Sequence, residues 1–167
     1  MSTVKAELTI DAQRVDAEIY NGDALGRKKS MDLLREISLP LGLLPLEDIE
    51  EVGLNRSTGF VWLRQKKRKD HLFRKIGRWT SYGTEITAVV ENRRMRKITG
   101  VKVKELLIWV SLSDIYIDDP ASEKVTFRTP TGLSRTFPAT AFDVDEAEVK
   151  KIVEAAEKEE ATATAVA

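Results

Sequence analysis

Apolar residues recur at helical spacing near the N-terminus and at strand spacing from about residue 50 onward. Leu8, Ala12, Val15 and Ile19 fall at steps of four, three and four, which predicts an amphipathic helix within residues 4–21 with Gly22 as its terminator. Gly26 through Lys29 read as a polar connection. Ser30 is placed to cap a short helix whose Leu33, Leu34 and Ile37 share a face. The run Leu39-Pro40-Leu41-Gly42-Leu43-Leu44-Pro45 follows. Two prolines and a glycine in seven residues forbid regular structure, so its four leucines are expected to form a rigid apolar clamp between a helical part and a β part.

Beyond the clamp the period changes to two. Val52 and Leu54 lead into the turn Asn55-Arg56-Ser57-Thr58-Gly59 and then Phe60-Val61-Trp62-Leu63, which predicts strand, turn and strand. Further strands are expected at 77–82, 84–90, 95–104, 105–112, 114–117, 123–129 and 133–137, with turn chemistry at Gly83, Glu91-Asn92, Asp118-Asp119-Pro120 and Thr129-Pro130-Thr131-Gly132. Short strands without intervening helices imply an antiparallel arrangement. Segment 106–112 is apolar on both faces and is therefore expected at the centre of the sheet, covered on both sides. Val149, Ile152, Val153 and Ala156 mark a final helix over 145–160, capped by Asp143 or Asp145, and the tail 161–167 is expected to be disordered.

Composition narrows the chemistry. The chain has 167 residues, 42% hydrophobic and 32% charged, the balance of a globular domain with one core. Cysteine is absent and His71 is the only histidine, which removes thiol nucleophiles, disulfides and the usual zinc cages. The acidic group Asp143, Asp145, Glu146 and Glu148 lacks the glycine and spacing of a calcium loop, and the nine glycines form no phosphate-cradling motif. No cofactor or metal is expected. Formal net charge is zero, yet residues 60–104 carry 14 basic and 3 acidic side chains between acidic flanks. This block reads either as a solvated face, self-neutralised by the acidic C-terminal helix or simply hydrated, or as a surface for an acidic partner, anionic lipid or nucleic acid.

The clamp, then Thr58-Gly59-Phe60, Ile98-Thr99-Gly100-Val101-Lys102-Val103-Lys104, Ile108-Trp109-Val110 and Phe137-Pro138-Ala139-Thr140-Ala141-Phe142, together resemble the plant domain-of-unknown-function family numbered 538, over roughly residues 31–143. The resemblance implies an all-β, barrel-like domain. It also implies lipid binding, by analogy to bactericidal permeability-increasing proteins, or esterase action on chlorophyll, and it supplies no catalytic residue. Many relatives begin with a secretion signal and contain cysteines, and often have glycine where this chain has Ser38. This chain opens without the apolar core of a leader and has no run of spanning length, so a cytoplasmic location is expected.

The expected architecture is thus an all-β, antiparallel barrel-like domain at 31–143, an N-terminal helical extension at 1–30, and a C-terminal helix at 144–160. Its leading function is non-enzymatic binding of a small hydrophobic or lipid-like ligand. Candidate lining residues are Leu39, Leu41, Leu43 and Leu44 near the mouth, with Phe60, Trp62, Trp79, Trp109 and Phe127 inside. Candidate anion contacts are Lys66, Lys67, Arg68, Lys69, Arg93 and Arg94, expected to converge on one end of the barrel. An ester hydrolase must use His71 as its base with Ser81, Ser111 or Ser134, although no G-x-S-x-G elbow is present. An interaction module binding an acidic partner or nucleic acid through the basic block is the third class, with Phe73, Trp79 and Tyr82 available for stacking.

Overall fold

Alternating apolar positions and short polar turns produce ten antiparallel strands in one sheet. The computed structural model describes residues 7–166, the last five of them as backbone alone. In chain order the elements are α1 (Ile10–Gln13), β1 (Glu18–Asn21), α2 (Asp23–Glu36), β2 (Ile49–Asn55), β3 (Phe60–Gln65), β4 (Lys69–Phe73), β5 (Arg78–Glu91), β6 (Arg94–Glu105), β7 (Ile108–Ser111), β8 (Asp114–Tyr116), β9 (Lys124–Arg128), β10 (Ser134–Pro138) and α3 (Glu146–Val166). The sheet runs β1-β2-β3-β5-β6-β8-β9-β10, while β4 also pairs with β5 and β7 with β6. Both β3–β4 and β7–β8 therefore act as single interrupted strands in a meander. The edge strands β1 and β10 are not paired with each other, so the sheet is open and the expected barrel is not closed by hydrogen bonds.

The interruptions have a backbone cause. On β6 the buried residues are Met95, Ile98, Val101 and Val103, a spacing that regular alternation cannot hold on one face. Lys97 at φ 51° and Gly100 at φ 81° supply the extra residues of two bulges, and the register with β5 shifts twice between Tyr82 and Val89. A Cβ on Gly100 would collide with the Glu85 carbonyl, so glycine is required there.

One face of the sheet carries the main core. Leu33 and Leu34 from α2 and Ile37 at its C-terminal cap pack with Leu39, Leu43, Leu44 and Leu46 onto Val61, Leu63, Ile86, Val101, Phe127 and Phe142. The proline-glycine clamp is irregular, as expected, and its backbone is satisfied by tertiary partners. Gly42 N–H donates to the Phe142 carbonyl at 2.8 Å, and the buried Tyr82 hydroxyl donates to the Leu43 carbonyl at 2.8 Å. Burial alone pushes the Tyr82 phenol far above its ordinary pKa, so it remains a donor. The opposite face carries a small second cluster of Ile10, Phe60, Trp62 and Val89 beneath the N-terminal segment.

Three expectations change here. The helix expected over 4–21 is a four-residue turn of helix followed by strand β1, because Asp16 turns to φ 65° and Ile19 pairs with Gly53 on β2. Gly22 does not end a helix but begins one: α2 runs through Gly26 and Lys29, and Ser30 sits mid-helix, donating to the Gly26 carbonyl at 2.8 Å. Gly26 lets α2 lie against Ile49, where a Cβ would clash. α3 caps α2 from outside, its Glu159 carboxylate accepting Ala24 N–H at 3.1 Å. α3 is helical to Val166 where a disordered tail from 161 was expected, and Ala167 lies outside the described residues, as do residues 1–6 at the opening stretch.

The central two-faced strand is β3, where Phe60, Val61, Trp62 and Leu63 are all buried. Segment 106–112 is not central: Leu106 and Leu107 form the exposed turn between β6 and β7, and only Leu112 is fully buried. Ser38 takes φ 62° as α2 ends, with Leu39 N–H donating to the Leu34 carbonyl at 2.9 Å. That is the left-handed helix terminus for which glycine is the favoured residue.

Candidate functional site

The main core opens at one end of the sheet into a groove of about 710 Å³. Strand register explains its position. Antiparallel partners point to the same face, so Val103 and Val110, paired across β6 and β7, both face the core side together with Leu112. Phe127 on β9 and Phe137 on β10 form the far wall, their rings edge to face at 5.4 Å. Leu106, Leu107 and Ile108 on one side and Leu133 on the other form the lips.

The rim carries a compact ion cluster. Arg78 Nη1 lies 2.8 Å and Arg135 Nε 3.5 Å from opposite oxygens of Glu105, and the Arg78 guanidinium also stacks over Phe137 at 5.8 Å. Two cations share one carboxylate, so the mouth carries one excess positive charge. Chemically this is an apolar slot with a cationic edge. It suits an amphiphile that places its apolar body on Val103, Val110 and Phe127 and an anionic group against Arg78 or Arg135.

Of the lining residues expected from sequence, Phe127 reaches the groove. Leu39, Leu43 and Leu44 are buried in the core and Leu41 is half-buried against it, so the clamp seals the core side and does not line this mouth. Phe60 and Trp62 point to the opposite face, beneath α1. The Trp62 indole donates to Glu51 at 2.7 Å, and Glu51 also receives Arg14 at 2.7 and 3.2 Å. Burial raises the Glu51 carboxyl pKa, but those hydrogen bonds together hold it below its ordinary value. Trp79 and Trp109 are exposed on the face opposite the groove, flanking Lys104. Val103, Val110, Phe137 and Leu133 were missed, although the alternation Val103-Glu105 against Ile108-Val110 around a two-residue turn was available in the sequence.

The candidate anion contacts do not converge. Lys66, Lys67 and Arg68 lie at the bend between β3 and β4, beside the middle of β5, while Arg93 and Arg94 lie at the β5–β6 turn. Roughly 25 Å of extended strand separates the two groups. Paired members of the basic block find acids in or beside the sheet: Lys69 binds Glu47 just before β2, Arg64 binds Glu85 and Glu51, Arg68 binds Asp70, and Arg94 binds Asp114 while stacking over Tyr116. Among the described residues the partners in these pairs are not acids of α3.

His71 on β4 faces Phe73, ring centroids 4.6 Å apart, and makes no hydrogen bond among the described residues. Ser81 stands opposite Asp70, the neighbour of His71, and therefore points to the other face of the sheet. Ser111 lies on β7, and Ser134 lines the groove without touching His71. Burial first, and Lys69 second, lower the His71 pKa from its ordinary 6.5, against Glu47 and Glu148. The unfolded chain therefore takes the proton more readily, and stability is full above about pH 6.5 and falls as pH drops through that value. Urea midpoints compared at about pH 7.5 and pH 5 are expected to show a drop that His71→Gln reduces; equal drops in both proteins would remove this role for His71.

Among the described residues no group of His, Asp and Glu side chains is arranged to hold a metal ion, and no helix is long and apolar enough to cross a membrane. The sequence profile of the family described as "Protein of unknown function, DUF538" matches residues 30–143. No curated protein and no solved structure matches the chain.

Proposed function

We propose, for a chain that belongs to the DUF538 family of proteins of unknown function, a non-enzymatic binding module that holds a small amphiphilic, lipid-like ligand in the groove between β6–β7 and β9–β10. The observation that supports this reading is the groove itself. Its volume of about 710 Å³ falls in the range of small-molecule sites, its walls are aliphatic and aromatic, and its polar groups are confined to the edge. Barrel-like proteins that carry such ligands use the same division of labour: an apolar interior for the body of the ligand and a few polar groups for its head. The clamp then acts as the internal plug that keeps the rest of the core solid, so the ligand enters from the open end.

The ligand class follows from the rim. With Glu105 already shared by Arg78 and Arg135, an incoming carboxylate or sulfonate meets two guanidinium groups and one competing anion. Binding of a fluorescent fatty acid, cis-parinaric acid, tests the reading in the absence of vesicles. Saturable binding is expected, and Val110→Trp, which fills the groove from its wall, is expected to weaken it about tenfold or more with little change in melting temperature. Absence of saturable binding, or binding unchanged in Val110→Trp, would overturn the proposal.

A further inference from the structure

Among the described residues the two most exposed large apolar side chains, Leu106 and Leu107, lie at this same end, and their placement works against folding. Leu106, Leu107 and Ile108 are 93%, 90% and 65% exposed, and Leu133 is 70% exposed on the neighbouring β9–β10 turn. Leu106 and Leu107 are the whole of the two-residue turn between β6 and β7, since Glu105 pairs directly with Ile108. Leu106 holds φ 54°, a conformation in which glycine or asparagine is favoured and leucine is strained. A turn built only to connect two strands has no use for two bare leucines in that geometry.

The charges around the tip are predominantly basic. The Arg78–Glu105 and Arg135–Glu105 ion pairs bring the β4–β5 turn and the β9–β10 turn to the same end as the leucines. Residues 74–78, 102–109 and 128–135 together contain seven basic side chains and one acidic one, Glu105. Arg74, Lys75, Lys102, Lys104 and Arg128 make no ion pair among the described residues. Behind the leucines, Lys104 pairs across the strands with Trp109, its ammonium 5.8 Å from the indole, and both Trp109 and Trp79 are exposed. Trp109 lies two residues from the turn, about 7 Å behind it along the strand. Bare leucines at the tip are thus followed one step along the strands by tryptophan and lysine side by side, with Arg74 and Lys75 on the adjoining turn, which matches acyl chain and then the headgroup interface of a bilayer with an anionic surface.

We propose that this end of the molecule docks on an anionic lipid bilayer, with Leu106, Leu107 and Leu133 entering between the headgroups and Arg74, Lys75 and Lys104 meeting lipid phosphates. The inference goes beyond ligand binding in the groove and does not depend on it. The bilayer is chosen over a protein partner because the surrounding charge is almost wholly basic while the apolar element is a protruding tip and not a flat face.

The test is co-sedimentation of the full chain with vesicles of phosphatidylcholine alone or with phosphatidylserine added. Binding is expected to the mixed vesicles, weaker to the neutral ones, and to fall with added salt. Leu106→Gly/Leu107→Ser suits the turn better than the native pair, so its melting temperature is expected to hold or rise while vesicle partitioning falls about tenfold or more. Arg74→Glu/Lys75→Glu is expected to weaken partitioning about tenfold or more, and only on anionic vesicles. The proposal fails if the native chain stays in the supernatant, or if the turn variant partitions as the native chain does. It also fails if sedimentation velocity shows reversible self-association that the turn variant abolishes, since the tip would then be an interface between two copies. Groove loading is read without vesicles, so failure of either reading is visible separately.

Discussion

Replacing Gly53 with alanine is expected to destabilise the protein by about 3 kcal/mol or more, although the position lies in a strand where alanine is ordinarily tolerated. Gly53 on β2 stands directly opposite Trp62 on β3, and the indole lies where a side chain on residue 53 would be. A methyl group there meets the Cζ2, Cε2 and Cη2 atoms of Trp62. The ring has no room to retreat. It is fully buried, its Nε1 is bonded to Glu51 at 2.7 Å, and Glu51 is held in turn by Arg14 from the N-terminal segment. The expected damage is steric and specific to the pair, so it should nearly vanish when the partner is smaller. Urea unfolding of Gly53→Ala, Trp62→Leu and the double variant measures this: the alanine is expected to cost under about 1 kcal/mol in the leucine background. Equal costs in both backgrounds would show that the indole is not what excludes a side chain from residue 53.

Leu43→Ala is expected to cost about 2–5 kcal/mol, against well under half of that for Leu41→Ala two residues away. Leu43 is 1% exposed within the main core, whereas Leu41 packs against that core from a half-buried position. The Leu43 carbonyl also accepts the Tyr82 hydroxyl, so the clamp is fixed to β5 by packing and by a buried hydrogen bond at the same residue. Any adjustment that refills the space left by Leu43 must keep that bond. Thermal and urea unfolding of the two variants, read by near-ultraviolet circular dichroism, distinguish a core clamp from a surface lip. Matching losses at residues 41 and 43 would contradict the placement of the clamp.

Alternation was sufficient to locate most strands. Val125 and Phe127 against Lys124, Thr126 and Arg128 mark β9 within a residue of its observed limits, and the turn residues Asn55 through Gly59 mark the β2–β3 hairpin. β4 was hidden because Lys69-Asp70-His71-Leu72-Phe73 carries so much charge that it reads as the end of a basic loop, yet pairing with β5 makes it a strand. β1 was hidden by coincidence of spacing: Leu8, Ala12 and Val15, three of the four residues in the helical pattern, are exposed. Helical periodicity predicts burial on one side, and no residue of this stripe is fully buried.

The candidate site was less legible than the fold. Tryptophans and phenylalanines were the natural residues to assign to a cavity, but one-residue differences in register send Trp62 to one face and Val61 and Leu63 to the other. The apolar run from Leu106 to Leu112 has the composition of a buried strand, and a hairpin turn at its first two residues places them outside.

Local chemistry along the chain is enough for the antiparallel strands, the irregular leucine clamp, the terminal helix and the exclusion of thiol and zinc-thiolate chemistry, because each depends on residue type and near-neighbour spacing. Which apolar residues are buried, which end of the sheet is open, and where the basic side chains meet depend on register, on the bulges at Lys97 and Gly100, and on an edge-to-edge gap that no pairing closes. Those are long-range properties: a shift of one residue in a strand exchanges its two faces, and it is the packing of α2 and the clamp on one of them that selects the register seen.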